Sequence, residues 1–337
     1  MKPILETKNL CVSYGNTKIL EDINISVNRG EILAIVGESG CGKSTLLKSL
    51  IRLMPSNAKI EKGEINYQNR DLLKLSNEEL RKIRGKEISM VFQNSGASLC
   101  PIRTIEKQFI EALQSHEDLS KEEIRKLIED IFSKINLKDV DRILKSYPFE
   151  LSGGMNQRVG IALAMLSKPS LILADEPTSA LDVTAQAQVV KTLMKLRDSF
   201  KTSIIIITHN MGVVSFMVDK VAVMYAGKII EYGTSDDIFY DPKHPYTWGL
   251  LGSMPTLDIG DNDLYNIPGT PPDLMDPPKG DAFALRSAYA MKIDHLAEPP
   301  MFKVSDTHYA ATWLLHPLAP KIERPVNVGR KKVNINE

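Results

Sequence analysis

The densest chemistry in the chain lies in Gly37-Glu-Ser-Gly-Cys-Gly-Lys-Ser-Thr45. This run follows the apolar stretch Ile32–Val36 and precedes a helix expected over residues 46–53. It is GxxxxGK[ST] in the strand–loop–helix setting that a phosphate-binding loop requires. The glycines let the backbone fold tightly, so that successive N–H groups point at β- and γ-phosphates. The helix N-terminus adds partial positive charge. Lys43 supplies a point charge for the same phosphates and Ser44 a hydroxyl for Mg²⁺. Gly37, Glu38, Ser39, Gly40, Cys41, Gly42, Lys43, Ser44 and Thr45 are therefore the expected nucleotide cradle. Cys41 is expected to be a small space-filler there, shielded from alkylation when ATP is bound. The second half of a metal site should be an acid at the end of an apolar strand. Leu171-Ile-Leu-Ala-Asp175-Glu176 supplies it. Asp175 is placed to hold Mg²⁺ through water, and Glu176 to orient or deprotonate an attacking water. A small-molecule kinase would share the phosphate loop but would not need the water-activating Glu.

These groups need a scaffold. Apolar runs at 32–36, 171–174, 204–208 and 221–225 read as buried strands, with helical patterns between them. That alternation predicts an α/β fold on a parallel sheet. One insert is clearly helical. Ser120-Lys-Glu-Glu123 has the form of a capping box. Ile124, Leu127, Ile128, Ile131, Phe132 and Ile135 then make one apolar stripe. The 337 residues suggest about two domains. Lys+Arg and Asp+Glu are both 42, which argues against a strongly basic nucleic-acid binder. No run approaches the roughly 18 apolar residues of a membrane helix. The N-terminus has no apolar signal region. Cys11, Cys41 and Cys100 form no CxxC pair, which excludes a disulfide scaffold or a multi-cysteine zinc site and suggests a reducing cytosol. Six prolines precede Asp241 and thirteen follow it, so a packed body gives way near Gly233 to a loop-rich tail. Trp248, Phe283, Tyr289, Phe302, Tyr309 and Trp313 argue against disorder in that tail.

The subclass is set by Leu151-Ser-Gly-Gly-Met-Asn-Gln-Arg158. LSGG before a helix, about twenty residues ahead of the acidic strand, resembles the signature of ABC-type ATPases. Other motifs fall in that family's order. Tyr14 resembles the aromatic that stacks on adenine. Gln93, in Val91-Phe-Gln-Asn94, resembles the Q-loop glutamine. Asp182, in Ser179-Ala-Leu-Asp182, resembles the D-loop acid, and His209 the switch histidine. The resemblance spans roughly residues 4–235. It implies a P-loop NTPase core over 1–237 with a helical signature subdomain at about 95–155, and a sandwich of two such chains around ATP. Ser152, Gly153, Gly154 and Gln157 would act in trans on ATP held by the partner. Glu176, His209 and Gln93 would be catalytic, and Ser44, Gln93 and Asp175 would hold Mg²⁺. A chain with one cassette needs a second ATPase subunit, here expected to be a paralogue.

The tail carries Asp241-Pro-Lys-His-Pro-Tyr-Thr-Trp248 and Leu264-Tyr-Asn-Ile-Pro-Gly-Thr-Pro-Pro-Asp-Leu274. Both resemble the C-terminal extension, here 238–337, of ATP-binding subunits of oligopeptide and dipeptide importers. Met155 and Asp182-Val-Thr-Ala-Gln186 are similar to the D-type subunit of that family. The resemblance implies two membrane permease subunits, an extracellular solute-binding protein, no nucleic acid, and a peripheral place on the cytoplasmic face of the cell membrane. Alternatives are the same role for nickel or a metallophore, or a soluble non-transport ABC ATPase. The latter should bring a zinc module, a coiled coil or a tandem cassette. Two departures stand out. Asp281, Ser287, Asp294 and Thr312 occupy the places where relatives have four cluster-ligating cysteines, so no iron–sulfur cluster is expected. The tail is then expected to be held by aromatic and proline packing alone. Asn210 follows the switch histidine where relatives more often have an acid.

Overall fold

The computed structural model describes residues 2–93, 95–179, 181–253 and 266–323. Asn94, Ala180 and Leu264-Tyr265, which belong to the motifs above, lie outside them. The chain opens with β1 (Leu5–Tyr14), β2 (Thr17–Ile23), β3 (Ser26–Val27) and β4 (Ile32–Val36), then α1 (Lys43–Leu50), β5 (Ala58–Tyr67) and β6 (Arg70–Asp71). Except for β4, these strands form an antiparallel sheet in the order β2-β1-β5-β6, with β3 beside β1. No apolar run announces this sheet. Most of β5 is half-buried or exposed and rich in Lys and Glu, so its pairing partner rather than its composition makes it a strand.

Next come α2 (Asn77–Ile83), β7 (Ile88–Val91) and the helical insert. The insert holds α3 (Ser95–Ser98), α4 (Ile105–Gln114), α5 (Lys121–Lys134) and α6 (Val140–Lys145), and leads into α7 (Gly153–Met165). Both halves of the expected capping box form at the start of α5. Ser120 Oγ accepts from the Glu123 N–H at 3.3 Å, and the Ser120 N–H donates to Glu123 Oε2 at 2.9 Å. Of the apolar stripe only Leu127 is not fully buried.

The chain continues with β8 (Leu171–Asp175), α8 (Val183–Phe200), β9 (Ser203–Ile207), α9 (Met211–Met217), β10 (Lys220–Tyr225), β11 (Lys228–Thr234), α10 (Ser235–Tyr240) and α11 (Pro245–Gly252). Two short strands, β12 (Phe302–Lys303) and β13 (Tyr309–Ala310), end the described part. The main sheet runs β12-β13-β11-β10-β4-β9-β8-β7 and is parallel from β10 to β7. β4, β8 and β9 are buried at every residue, because both faces of the sheet are covered. Alternate residues enter different cores. Ile32, Ala34 and Val36 face the helical insert and α8, while Leu33 and Ile35 face α1 and the antiparallel sheet.

The tail is more than a packed loop. Its β13 pairs with β11, Glu231 opposite Ala310, and so extends the main sheet. Aromatic contacts hold it as expected, with Trp248 against Tyr289 and Phe302 against Trp313. The expectation of aromatic and proline packing alone is overturned, because buried polar side chains join tail and body. Glu231, fully buried, accepts from His308 Nε2 at 2.8 Å and from the N–H groups of Lys243 and His244. A buried carboxylate needs such donors, and the tail supplies them all.

Candidate functional site

The phosphate loop leaves β4 at Gly37, where the chain passes directly over β10. A Cβ at Gly37 would lie 2.1 Å from the Met224 carbonyl oxygen, and its φ is +153°, so only glycine fits. The helix begins within the motif rather than after it. Gly42, left-handed at φ +102°, caps α1 without a side-chain bond, leaving the first amides of the helix facing the loop. α1 therefore spans Lys43–Leu50 instead of 46–53. It stops ahead of Arg52, whose φ is +51°. Lys43 is buried, and its Nζ donates to the carbonyls of Gly37 at 2.8 Å and Glu38 at 2.7 Å. The ammonium is thus fixed at the centre of the loop. Tyr14 and Thr45 share a hydroxyl–hydroxyl bond of 3.0 Å, which sets the aromatic ring at the loop's exit.

Cys41 is buried with its Sγ 3.7 Å from Lys43 Nζ, and burial pushes its thiol pKa up. It is the space-filler expected. Its burial limits the access of an alkylating reagent, and the expected shielding by ATP remains a test of the loop's occupancy.

The acid pair at the end of β8 faces this loop. Ser44 Oγ donates to Asp175 Oδ1 at 2.9 Å. Burial pushes the Asp175 carboxyl above its ordinary pKa, and the Ser44 bond opposes the rise. Glu176 follows with φ +43°, a conformation rare for a side-chain-bearing residue, and its N–H donates to Ile207 O. This turn aims the carboxylate away from the strand. One of its oxygens, Oε2, receives Gln93 Nε2 at 3.2 Å and lies 3.4 Å from His209 Nδ1. Three residues far apart in sequence meet at one oxygen because β7, β8 and β9 are neighbours. The Asn210 N–H donates to Thr208 Oγ1 and its amide reaches Gln186 Oε1, so the uncharged residue is tied to the switch turn and to α8.

The signature lies elsewhere. Ser152 caps α7 by accepting from the Met155 N–H at 3.3 Å, and Asp182 caps α8 by accepting from the Ala185 N–H at 2.9 Å. Ser152, Gly153, Gly154, Asp182 and Ala185 line a shallow groove of about 410 Å³. Among the described residues, none of the phosphate loop lines it. Gln157 does not join the groove. It is 4% exposed on the inner side of α7, its Nε2 without a partner, so the expectation that it acts on a partner's nucleotide meets a buried side chain.

Residues 20–179 match the ABC transporter family, and residues 230–293 match the C-terminal region of oligopeptide/dipeptide transporters. The oligopeptide transport ATP-binding protein OppD of Bacillus subtilis is 51% identical over 97% of this chain and 93% of its own length. The chain belongs to the ATP-binding proteins of oligopeptide and dipeptide ABC transporters. The dipeptide transport ATP-binding protein DppD of Lactococcus lactis is 48% identical over 96% of this chain and 95% of that protein. Among solved structures, the dimeric cassette MJ0796, in a post-hydrolysis state bound to ADP and Pi, is 29% identical. Its TM-score is 0.60 over 68% of this chain and 98% of that one.

In this ABC ATP-binding protein, the four polar residues expected to stand in place of cysteines each close a local turn. Asp281 Oδ1 accepts from the Phe283 N–H, Ser287 Oγ from Tyr289, Asp294 Oδ2 from Met291 and Thr312 Oγ1 from Leu314. The side chains thus serve the backbone on which they sit. Sequence reasoning missed Tyr246 and Arg286, which bond to Glu38 of the phosphate loop from beyond β4, and Tyr225, which accepts from Arg286. The only signal was a lone arginine in the apolar stretch Ala282-Phe-Ala-Leu-Arg286, matched by an acid inside the loop.

Proposed function

We propose that this chain is the ATP-hydrolysing subunit of an importer of oligopeptides or dipeptides, working as a peripheral component on the cytoplasmic face of the cell membrane. The observation that carries this reading is the Glu176 carboxylate, approached at one oxygen by Gln93 and His209, beside the Ser44–Asp175 pair at the phosphate loop. The peptide substrate class is supported by the relatives' names and by the C-terminal match. Among the described residues no helix is long and apolar enough to cross a membrane.

In this reading residues 1–237 are the ATPase domain and 238–337 the extension. ATP places its phosphates on residues 37–45, where Lys43 and the first amides of α1 oppose their charge. Tyr14 carries the adenine. Glu176 takes a proton from the attacking water, and the nearby amide of Gln93 orients its carboxylate. His209 contacts the γ-phosphate and senses its loss, and Gln93 passes that change to the helical insert at about 95–155. Ser44, Asp175 and Gln93 offer only oxygen donors, a hard set that suits Mg²⁺. The metal, when bound, neutralises phosphate charge.

Ser152, Gly153, Gly154 and Asp182 present a helix N-terminus and a capped turn to a second ATPase subunit, a paralogue, whose ATP they cover. The dimeric arrangement of MJ0796 supports that sandwich. Two permeases and an extracellular solute-binding protein complete the assembly. No iron–sulfur cluster is part of it, because the four positions carry no thiolate.

The test is isolation of the tagged full chain in mild detergent from its own cells, read by mass spectrometry. The expected result is two permeases, a second ABC ATPase and a binding protein, whose loading with peptide stimulates ATP turnover by the complex. Recovery with ribosomal or DNA-repair proteins and no permease would overturn the transport reading.

A further inference from the structure

The second residue of the phosphate loop is an acid, Glu38. Its position is awkward, because a free carboxylate beside the phosphates would repel them. The extension resolves this. Arg286 is 6% exposed and grips both oxygens of Glu38, Nη1 to Oε2 at 2.5 Å and Nη2 to Oε1 at 3.0 Å. Its remaining donors are also used, Nε on Pro268 O, Nη1 on the Tyr225 hydroxyl and Nη2 on Gly269 O. The guanidinium lies 5.8 Å from the ring centroid of Tyr225 and 5.9 Å from that of Phe283. A fork so fully bonded has one geometry, and it presents one face to Glu38. The backbone of the same residue is held too. The Glu38 N–H donates to the Tyr246 hydroxyl at 2.8 Å, and Tyr246 sits in α11 with its ring packed on Tyr225. The carbonyl of Glu38 is one of the two that fix Lys43. A continuous path of bonds thus runs from the extension through Glu38 to the ammonium of the loop.

We infer that Arg286 is a positioning residue of the nucleotide site, which neutralises and orients Glu38 so that the phosphate loop binds a polyphosphate more tightly with the extension's guanidinium in place. The inference rests on the nucleotide-binding reading above and adds a role for the extension in it. Two roles for Arg286 can be told apart. As a staple for the extension, it would affect melting temperature and leave nucleotide affinity alone. As the counter-charge of Glu38, its loss should weaken binding, and removing the Glu38 charge should restore it.

The experiment is calorimetric titration of the full chain with ADP and Mg²⁺, a ligand that fills the loop without closing a dimer. Arg286→Met is expected to weaken binding about tenfold, since it leaves a carboxylate unopposed near the phosphates. Adding Glu38→Gln should return the affinity to within about threefold of wild type. Wild-type affinity in Arg286→Met, or a loss that Glu38→Gln does not reverse, would overturn the inference. If Arg286→Met does not fold, Arg286→Lys takes its place. A single ammonium does not match both carboxylate oxygens, so a loss of about threefold, again reversed by Glu38→Gln, is expected. Unchanged affinity in Arg286→Lys would then overturn it. A wild-type chain that binds no ADP would instead sink the nucleotide reading beneath it.

Discussion

The phosphate loop and the signature groove are built in opposite ways. At the loop, Lys43 is held by the backbone carbonyls of Gly37 and Glu38, and side chains satisfy one another across long sequence distances, Ser44 with Asp175, and Gln93 and His209 with Glu176. At the groove, Ser152 and Asp182 bond only within their own helix starts, and the surface they line faces outward. The first region is preorganised within one chain, at the meeting of five parallel strands. The second has been given shape but nothing to act on. The difference teaches that the two regions are built separately, and on the proposed function the groove would be one chain's contribution to a site shared with a second subunit.

The largest effect should come from breaking the loop side. Glu176→Gln keeps the shape of the carboxylate and both of its neighbours but removes the base. Turnover by the assembled complex is expected to fall by at least about a hundredfold, with nucleotide binding retained. Phosphate release measured beside a binding titration checks both halves of that statement. Unchanged turnover would mean that the water is activated by another group.

The groove side should respond differently. A Cβ on Gly154 would meet only Ala185 Cβ, at 3.6 Å, so the chain itself tolerates a side chain there. Gly154→Asp places a negative charge where a partner's phosphate is to be covered. The isolated chain should bind ADP and Mg²⁺ as wild type does, while the complex loses about ten- to a hundredfold in turnover, less than the loss of a preorganised transition-state donor costs. Weakened ADP binding by the isolated chain would show that the two regions are not separate, and the contrast would collapse.

The legibility of these regions follows the same division. Motifs whose chemistry is local could be read directly. The phosphate loop needed its strand, its glycines and its helix in sequence, and all three were visible in residues 32–50. The capping box at Ser120 was visible because its two bonds span three residues. What escaped was set by sheet order. Nothing in the sequence says that β10 lies beside β4, and that adjacency brings Tyr225 under the loop and lets Tyr246 and Arg286 reach Glu38. The antiparallel sheet escaped because β5 is mostly polar. Glu231 escaped because a buried carboxylate cannot be told from an exposed one until its donors are known, and His308 lies 77 positions away. Gln157 misled because its motif was read as a surface, whereas its place on α7 turns it inward.

The smallest expected effect concerns the extension, which is bonded to the loop side of the molecule. Asp281 is half-buried, and burial, helped by the nearby Asp294 carboxylate, pushes its pKa up to about 6 from an ordinary 3.8. A carboxyl whose pKa is higher in the folded chain favours the fold while protonated. Its contribution is full below about pH 4 and is lost as pH rises through about 6. Asp281→Asn removes the charge and keeps an oxygen to accept from the Phe283 N–H. The variant should therefore be more stable than wild type near neutral pH, by about 1–2 kcal/mol, and the advantage should shrink as pH falls through about 6. Thermal melts of the full chain and the variant from about pH 8 to about pH 5 measure this directly. Melting temperatures that run parallel across the range would mean that Asp281 ionises freely. If the gain appears, ADP affinity measured on the same samples shows whether a more firmly seated extension also improves the loop to which Arg286 ties it.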